Sequence, residues 1–269
     1  MKRIALCIDD YALREGVDAA VLELAGRGLA TATSCLAGSP RWRAAAPALR
    51  GCDGIDAGLH LDFTESPFDA SLRSGLGAFI ARAYLRRLPG DRLRAEVRAQ
   101  FDAFEDAMGR APDHVDGHQH VHQLPLVRDI LLDELQRRGH RGTWLRGTAA
   151  AGAGVKPRVI HALGGAALQR GARARCLRLS GRLLGVYGFD QEAAGYRALL
   201  AGWLARARDG DVLMCHPGRA DAASAADPIA AARATEARVL AEELPALLEQ
   251  QGCKLVRLGA MQDLGHPQG

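Results

Sequence analysis

The stretch Arg3-Ile4-Ala5-Leu6-Cys7-Ile8-Asp9-Asp10-Tyr11 decides how the rest of the chain is read. A short apolar run ends abruptly in two carboxylates, the pattern of a strand buried on both faces whose C-terminal end opens on a polar site. The pattern recurs. Further strand candidates are 31–36, 55–61, 114–116, 143–145, 211–216 and 254–258. His60 stands near the end of one, His118-Gln119-His120-Val121-His122 follows another, and His216-Pro217-Gly218 closes a third. Between the strands, apolar residues recur at helical spacing: Val17, Val21 and Leu24; Leu93, Val97, Phe101 and Phe104; Val127, Leu131 and Leu135; then the runs 199–207 and 239–248. These predict helices covering a parallel sheet. Seven strands in 269 residues suit a single-domain α/β fold over 1–269, a distorted (β/α) barrel of about seven parallel strands. The segments near 66–90 and 147–189 break the alternation and read as insertions or loops.

Composition narrows the class. Apolar residues make up 48% and charged residues 25%, an ordinary globular mixture. The apolar run after Met1 is too short for a signal peptide, and no run approaches a membrane span. The six cysteines are scattered singly, so a reducing, cytoplasmic setting is expected.

The polar clusters carry the chemistry. In a parallel α/β sheet the C-terminal strand ends converge on one face, so Asp9, Asp10, His60, the cluster His118 to His122 and His216 are expected to meet there. Taken singly each has a bland reading: an aspartate pair after a strand is commonly a helix cap, and a lone histidine commonly a hydrogen-bonded core residue. Cys215 beside His216 suggests a thiol and its base, but neighbours in a strand point to opposite faces. His114, Asp116, His118, His120 and His122 are spaced by two. An extended backbone would line all five on one side at prohibitive desolvation cost, so the strand is expected to stop near Gly117. Two histidines with one carboxylate form an open metal site, and a second carboxylate beside the ligating one can act as general base.

These motifs resemble the YdjC family of carbohydrate deacetylases, the group that includes chitooligosaccharide deacetylase and hopanoid-associated deacetylase-like proteins. The matching residues are Asp9-Asp10-Tyr11, Thr31-Ala32-Thr33-Ser34, Gly58-Leu59-His60-Leu61, the stretch 113–122 with Leu124-Pro125, and Met214-Cys215-His216-Pro217-Gly218. The resemblance implies a barrel related to the polysaccharide deacetylases, holding one divalent ion, magnesium or zinc. It implies Asp10, His60 and His118 as ligands, Asp9 as general base and His216 as the acid that protonates the leaving amine. Asp116, His120, His122 and Tyr11 are then expected to contact substrate or to orient the ligands. The residues alone leave the choice among His118, His120 and His122 open, because a helical turn would pair His118 with His122. Where the family usually has Asp-Asp-Phe-Gly, this chain has Asp9-Asp10-Tyr11-Ala12.

The expected activity is hydrolytic removal of an N-acetyl group from an amino sugar, oligomeric or lipid-linked, releasing acetate. Two rivals stand beside it: a metal-independent glycoside hydrolase using paired carboxylates, and a non-catalytic sugar- or metal-binding module. No Asp or Glu occurs between Glu134 and Asp190, although the net charge is only +4. Within this stretch Leu168, Ala172, Cys176, Leu179 and Leu183 predict an amphipathic helix bearing Arg170, Arg173, Arg175, Arg178 and Arg182. It is either a solvated cover helix or, over 168–183, a peripheral contact with an anionic membrane. Interleaved aromatics are lacking, so no nucleic-acid partner is expected; a homodimer is left open.

Overall fold

The computed structural model describes residues 1–151 and 154–261. In chain order the elements are β1 (Lys2–Tyr11), α1 (Glu15–Gly26), β2 (Ala32–Cys35), α2 (Trp42–Arg50), β3 (Asp56–Leu61), α3 (Leu76–Tyr84), α4 (Gly90–Met108), β4 (His114–Gly117), α5 (Val127–Arg138), β5 (Trp144–Leu145) and α6 (Val155–Ile160). They continue with α7 (Ala166–Ala174), β6 (Arg178–Leu179), β7 (Leu183–Leu184), α8 (Ala193–Arg206), β8 (Val212–Cys215), α9 (Ala230–Glu242), α10 (Leu244–Gln250) and β9 (Cys253–Leu255). A 3₁₀ segment (His118–Gln123) follows β4, and a π turn (His161–Gly165) joins α6 to α7.

The strands form one parallel sheet in the order β6-β5-β4-β3-β2-β1-β8-β7, with β9 pairing the start of β1. A bridge between Ala150 and Leu183 brings the two ends of the sheet together, so it curls into a distorted α/β barrel. β1 shows why the fold forms. Ile4, Leu6 and Ile8 pack outward in the main core with the helices, whereas Ala5 and Cys7 face inward with Ala32, Trp144, Val212 and Leu258. The pleat alternates the faces, and both are apolar. The helices close on left-handed glycines where the sequence supplies them, at Gly109 after α4 and Gly139 after α5. Among the described residues no helix is long and apolar enough to cross a membrane.

The expected elements recur with three corrections. Among the described residues the sheet has nine strands rather than about seven, because 147–189 supplies β6 and β7 instead of being only an insertion. Likewise 66–90 contains α3. The predicted helix over 168–183 stops at Ala174: Cys176 takes a left-handed φ of 53°, and Leu179 and Leu183 belong to β6 and β7. Its arginines divide accordingly. Arg175 pairs with Asp133, Arg178 donates to the carbonyls of Gly142 and Leu258, and Arg182 pairs with Asp211. Arg170 and Arg173 stay exposed on α7.

Candidate active site

The C-terminal end of β1 bends the chain so that two consecutive aspartates serve one site. In a regular strand Asp9 and Asp10 would point to opposite faces. Here the ladder with β2 shifts register between Ile8 and Tyr11, and Asp10 takes φ 72°. A bulge of this kind re-aims a side chain at the cost of local strain. Ala12 follows with φ 71°, and its N–H donates to Asp18 Oδ1 at 2.6 Å. The family's usual glycine would hold this left-handed turn more cheaply.

Asp10 is the hub of the cluster. Its Oδ1 lies 2.9 Å from His118 Nδ1 and 3.6 Å from His60 Nε2, while its Oδ2 accepts from Arg233 Nη2 at 2.7 Å. The ligand-type atoms of Asp10, His60 and His118 all lie within 4.8 Å of one another. Behind them Asp116 Oδ1 holds His60 Nδ1 at 2.5 Å, which leaves Nε2 turned toward Asp10. A carboxylate on the far nitrogen is the usual means of orienting a metal-binding imidazole. Burial acts against both charged partners and is outweighed. His118 is pushed up to about 9 by Asp10, and Asp10 falls well below the carboxylate range under His118 and Arg233. A proton on His118 thus sits where a cation would satisfy the same carboxylate, so the donor set fits a divalent ion.

The second constellation centres on Arg146, which is wholly buried. Its Nη1 and Nη2 grip Asp9 at 2.7 and 2.6 Å, and Nη2 also lies 2.6 Å from Asp116 Oδ2. Ser34 Oγ donates to the same Asp116 oxygen at 2.7 Å. Burial would raise the Asp9 carboxyl, but the Arg146 charge prevails and holds it ionised. A bidentate fork of this type fixes geometry as well as charge. His216, just past β8, reaches the other side of Asp9 with Nε2 at 3.9 Å. Burial lowers the imidazole to about 4 against the pull of Asp10 and Asp9, so it rests neutral. Its backbone N–H donates to buried Glu236, itself raised to about 7 by burial and accepting from the Tyr187 hydroxyl. Phe189 packs against the His216 ring edge-on, with centroids 5.1 Å apart.

The structure brings Asp9, Asp10, His60, His118 and His216 onto one cavity of about 500 Å³ and separates other predicted residues from it. Of the three neighbouring histidines, only His118 reaches Asp10. β4 stops at Gly117, and Gln119 and His120 take φ of 52° and 62°, so the two-residue spacing does not keep these side chains on one side. His120 lines the cavity, whereas His122 is fully buried and donates from Nε2 to the Arg146 carbonyl. The substrate-contact reading of His122 is therefore corrected. Tyr11 is corrected too: its hydroxyl donates to the Ala45 carbonyl at 2.8 Å in the outer core. Asp116 is buried beneath the cavity, saturated by Arg146, Ser34 and His60. Cys215 faces the core away from His216, and burial raises its thiol well above the ordinary range, which leaves no thiolate dyad.

Arg146, Arg233 and Glu236 were not anticipated. Arg146 carried one signal, its place directly after the short strand Trp144–Leu145; the other two lie on α9 with no motif to mark them.

With this geometry in place, comparison with known proteins is informative. The YdjC-like protein family model matches residues 3–250. The chain belongs to the YdjC-like family. The carbohydrate deacetylase of Homo sapiens is 30% identical over 249 residues, covering 80% of this chain and 75% of that protein. The chitooligosaccharide deacetylase of Enterobacter sp. (strain 638) is 31% identical over 144 residues, and the match spans 51% of this chain and only 57% of that relative's length. Among solved structures, an Enterococcus faecalis V583 protein provisionally named for cellobiose-phosphate cleavage superposes with TM-score 0.73 at 20% identity, covering 95% of this chain and 97% of the other. A family 4 acetyl xylan esterase from Clostridium thermocellum, in complex with a cobalt ion, gives TM-score 0.51 at 13% identity over 95% of this chain and 87% of its own. The YdjC-like chain thus shares its barrel with carbohydrate esterases and deacetylases.

Proposed function

We propose that this YdjC-like chain is a divalent-metal-dependent hydrolase that removes the N-acetyl group of an amino sugar carrying an apolar aglycone. The observation that carries the reading is the grouping of Asp10, His60 and His118 between Asp9 and His216 on the floor of one cavity. The relatives named for carbohydrate and chitooligosaccharide deacetylation support the same chemistry.

Asp10, His60 and His118 would hold the ion, whose chemistry is Lewis-acid polarisation of the acetamide carbonyl. One carboxylate with two imidazoles suits zinc and related first-row ions, and magnesium is the alternative to be tested beside it. Asp9, kept ionised by Arg146, accepts the proton of the attacking water. The carbonyl carbon gains an oxygen and the C–N bond breaks. His216 is neutral at rest, so it cannot begin as the donor. It takes the proton from Asp9 through a water bridging the 3.9 Å between them and delivers it to the amine nitrogen, leaving acetate and a free amino sugar. Arg233 and Asp116 hold Asp10 and His60 in place, Asp116 from beneath the cavity and Arg233 from its lining.

The aglycone is read from the apolar part of the lining. Leu76, Ile80, Leu124, Ile160, Leu163 and Ile229 face the same cavity as the carboxylates. Sugar hydroxyls would lose water there without compensation, whereas an alkyl or polycyclic tail gains by burial. The glycoside-hydrolase alternative loses one of its three carboxylates, since Asp116 is sealed below the site.

The decisive experiment measures acetate release from N-acetylglucosamine glycosides with and without an alkyl tail, before and after chelation. Acetate should appear, stop on chelation and return with zinc or magnesium, faster for the tailed substrate. Release that survives exhaustive chelation, or liberation of the aglycone instead of acetate, would overturn the reading.

A further inference from the structure

Apart from Met1, every large hydrophobic side chain that stands exposed among the described residues belongs to the elements around the cavity mouth. They are Phe68, Tyr84, Leu85, Val155 and Val159. On α3, Leu76 and Ile80 line the cavity, and Tyr84 continues the same row of residues four apart. The apolar row therefore runs from the cavity wall out to solvent, where Leu85 extends it at 62% exposure. On α6, Lys156 and Ile160 line the cavity, and Val155 and Val159 form the adjoining row, 78% and 50% exposed. Phe68 sits on the loop that carries the cavity-lining Glu65. Scattered exposed apolar residues need no explanation, but their confinement to two helices and one loop around the same cavity does.

Along the two helical stretches of the rim the charge has a single sign, while the loop that carries Phe68 adds Glu65 and Asp69, the latter paired with Arg92. Residues 76–90 contain Arg82, Arg86 and Arg87, and residues 155–174 contain Lys156, Arg158, Arg170 and Arg173, with no Asp or Glu in either stretch. Among the described residues, Arg82, Arg86, Arg87 and Arg158 form no ion pair, although most other arginines of the fold do. A two-fold contact with a second copy through this face would set arginine against arginine. An anionic bilayer complements both features, because its interface takes apolar side chains into the acyl boundary while its phosphates neutralise the arginines above them.

We propose that the rim formed by the end of α3 and by α6 docks peripherally on an anionic lipid surface, seating Leu85, Val155 and Val159 in the bilayer interface so that the cavity opens onto the membrane. Docking of this kind needs no substrate and no turnover. It stands even if the deacetylase reading fails, and its test uses no acetate measurement.

The test is flotation of the full chain with vesicles of phosphatidylcholine alone and of phosphatidylcholine mixed with phosphatidylglycerol, at low and high salt. The chain should float with the phosphatidylglycerol vesicles, be released by salt, and ignore phosphatidylcholine alone. The combined variant Leu85→Asp, Val155→Asp, Val159→Asp should melt like wild type and lose binding by at least about tenfold. Arg86→Gln with Arg87→Gln should weaken it severalfold. The proposal is overturned if the rim variant floats like wild type, or if Arg170→Gln with Arg173→Gln abolishes binding while the rim variant keeps it. It also falls if the wild-type chain binds no vesicle and instead forms a dimer that the rim substitutions dissociate, which would make the face a protein interface.

Discussion

The cavity has two walls built on different principles. The wall made by the strand ends is polar, buried and over-connected: Asp10 holds His118 and Arg233, Asp116 holds His60 and Arg146, and Arg146 touches Asp9 and Asp116 at once. The wall made by the connecting segments, α3, α6 and the π turn, presents Leu76, Ile80, Ile160 and Leu163, and its outer rows are exposed. Buried charges tolerate only one arrangement, because any member left unpaired pays its full desolvation. Aliphatic contacts are non-directional and can be exchanged with little loss of fold. The strand wall is thus suited to fixing chemistry and the connecting wall to choosing what is brought to it.

The contrast predicts unequal responses. Arg146→Met strands Asp9 and Asp116 without their counter-charge, so it should cost about 3–5 kcal/mol in denaturant unfolding and abolish activity; a variant as stable as wild type would show that the strand wall is not electrostatically locked. Asp9→Asn keeps the shape, so it should fold and bind metal by calorimetry while kcat falls about 10²–10⁴-fold. Undiminished turnover would remove Asp9 from its role.

Acid should undermine the same wall. His122 and His216 are lowered to about 4, and His120 to about 3, mainly by burial. Unfolded histidines take up protons below about pH 6.5, so the unfolded chain binds more protons in this window and stability rises with pH through it. The contribution is fully present above that value and is lost as pH falls toward 4. Comparing melting temperatures at pH 7 and 5, His122→Gln should show a smaller drop than wild type; an equal drop would mean His122 is not held neutral.

On the connecting wall the effects should be smaller and selective. Leu163→Ser should raise KM about tenfold for a tailed substrate and leave the untailed sugar unchanged. Equal effects on both would break the division of labour between the walls. Smallest of all, Ala12→Gly relieves a left-handed alanine at φ 71° and should gain about 0.5–1 kcal/mol, read by denaturant midpoint.

Much of the strand wall is legible in the sequence. Carboxylates and histidines that directly follow apolar runs announce strand ends, and parallel topology brings such ends together whatever their separation in the chain. Asp9, Asp10, His60, His216 and the histidine cluster 118–122 were found that way, and the family resemblance chose His118 within the cluster. The expected end of the strand near Gly117 is where β4 stops, but the spacing of His118, His120 and His122 says nothing of the turn beyond it, where the backbone passes through two left-handed residues. The predicted basic helix failed for a related reason. Strands of two residues, Arg178–Leu179 and Leu183–Leu184, are too short to leave any periodicity, so a helical stripe accommodated them by chance.

By itself the sequence determined the parallel α/β barrel, the end of it that carries the polar groups, and four of the residues that meet there with a histidine from 118–122, because strand order, pleat and the cost of burying charge are local or topological matters. Only the tertiary structure decided which charges neutralise which. That Arg146 is sealed between Asp9 and Asp116, that Arg233 steadies Asp10, and that Tyr11 and His122 turn away depends on depth and direction in space. Arginines have the same sequence signature on a solvated helix as in a buried cluster; what separates them is the dielectric around the side chain, which exists only once the chain has folded.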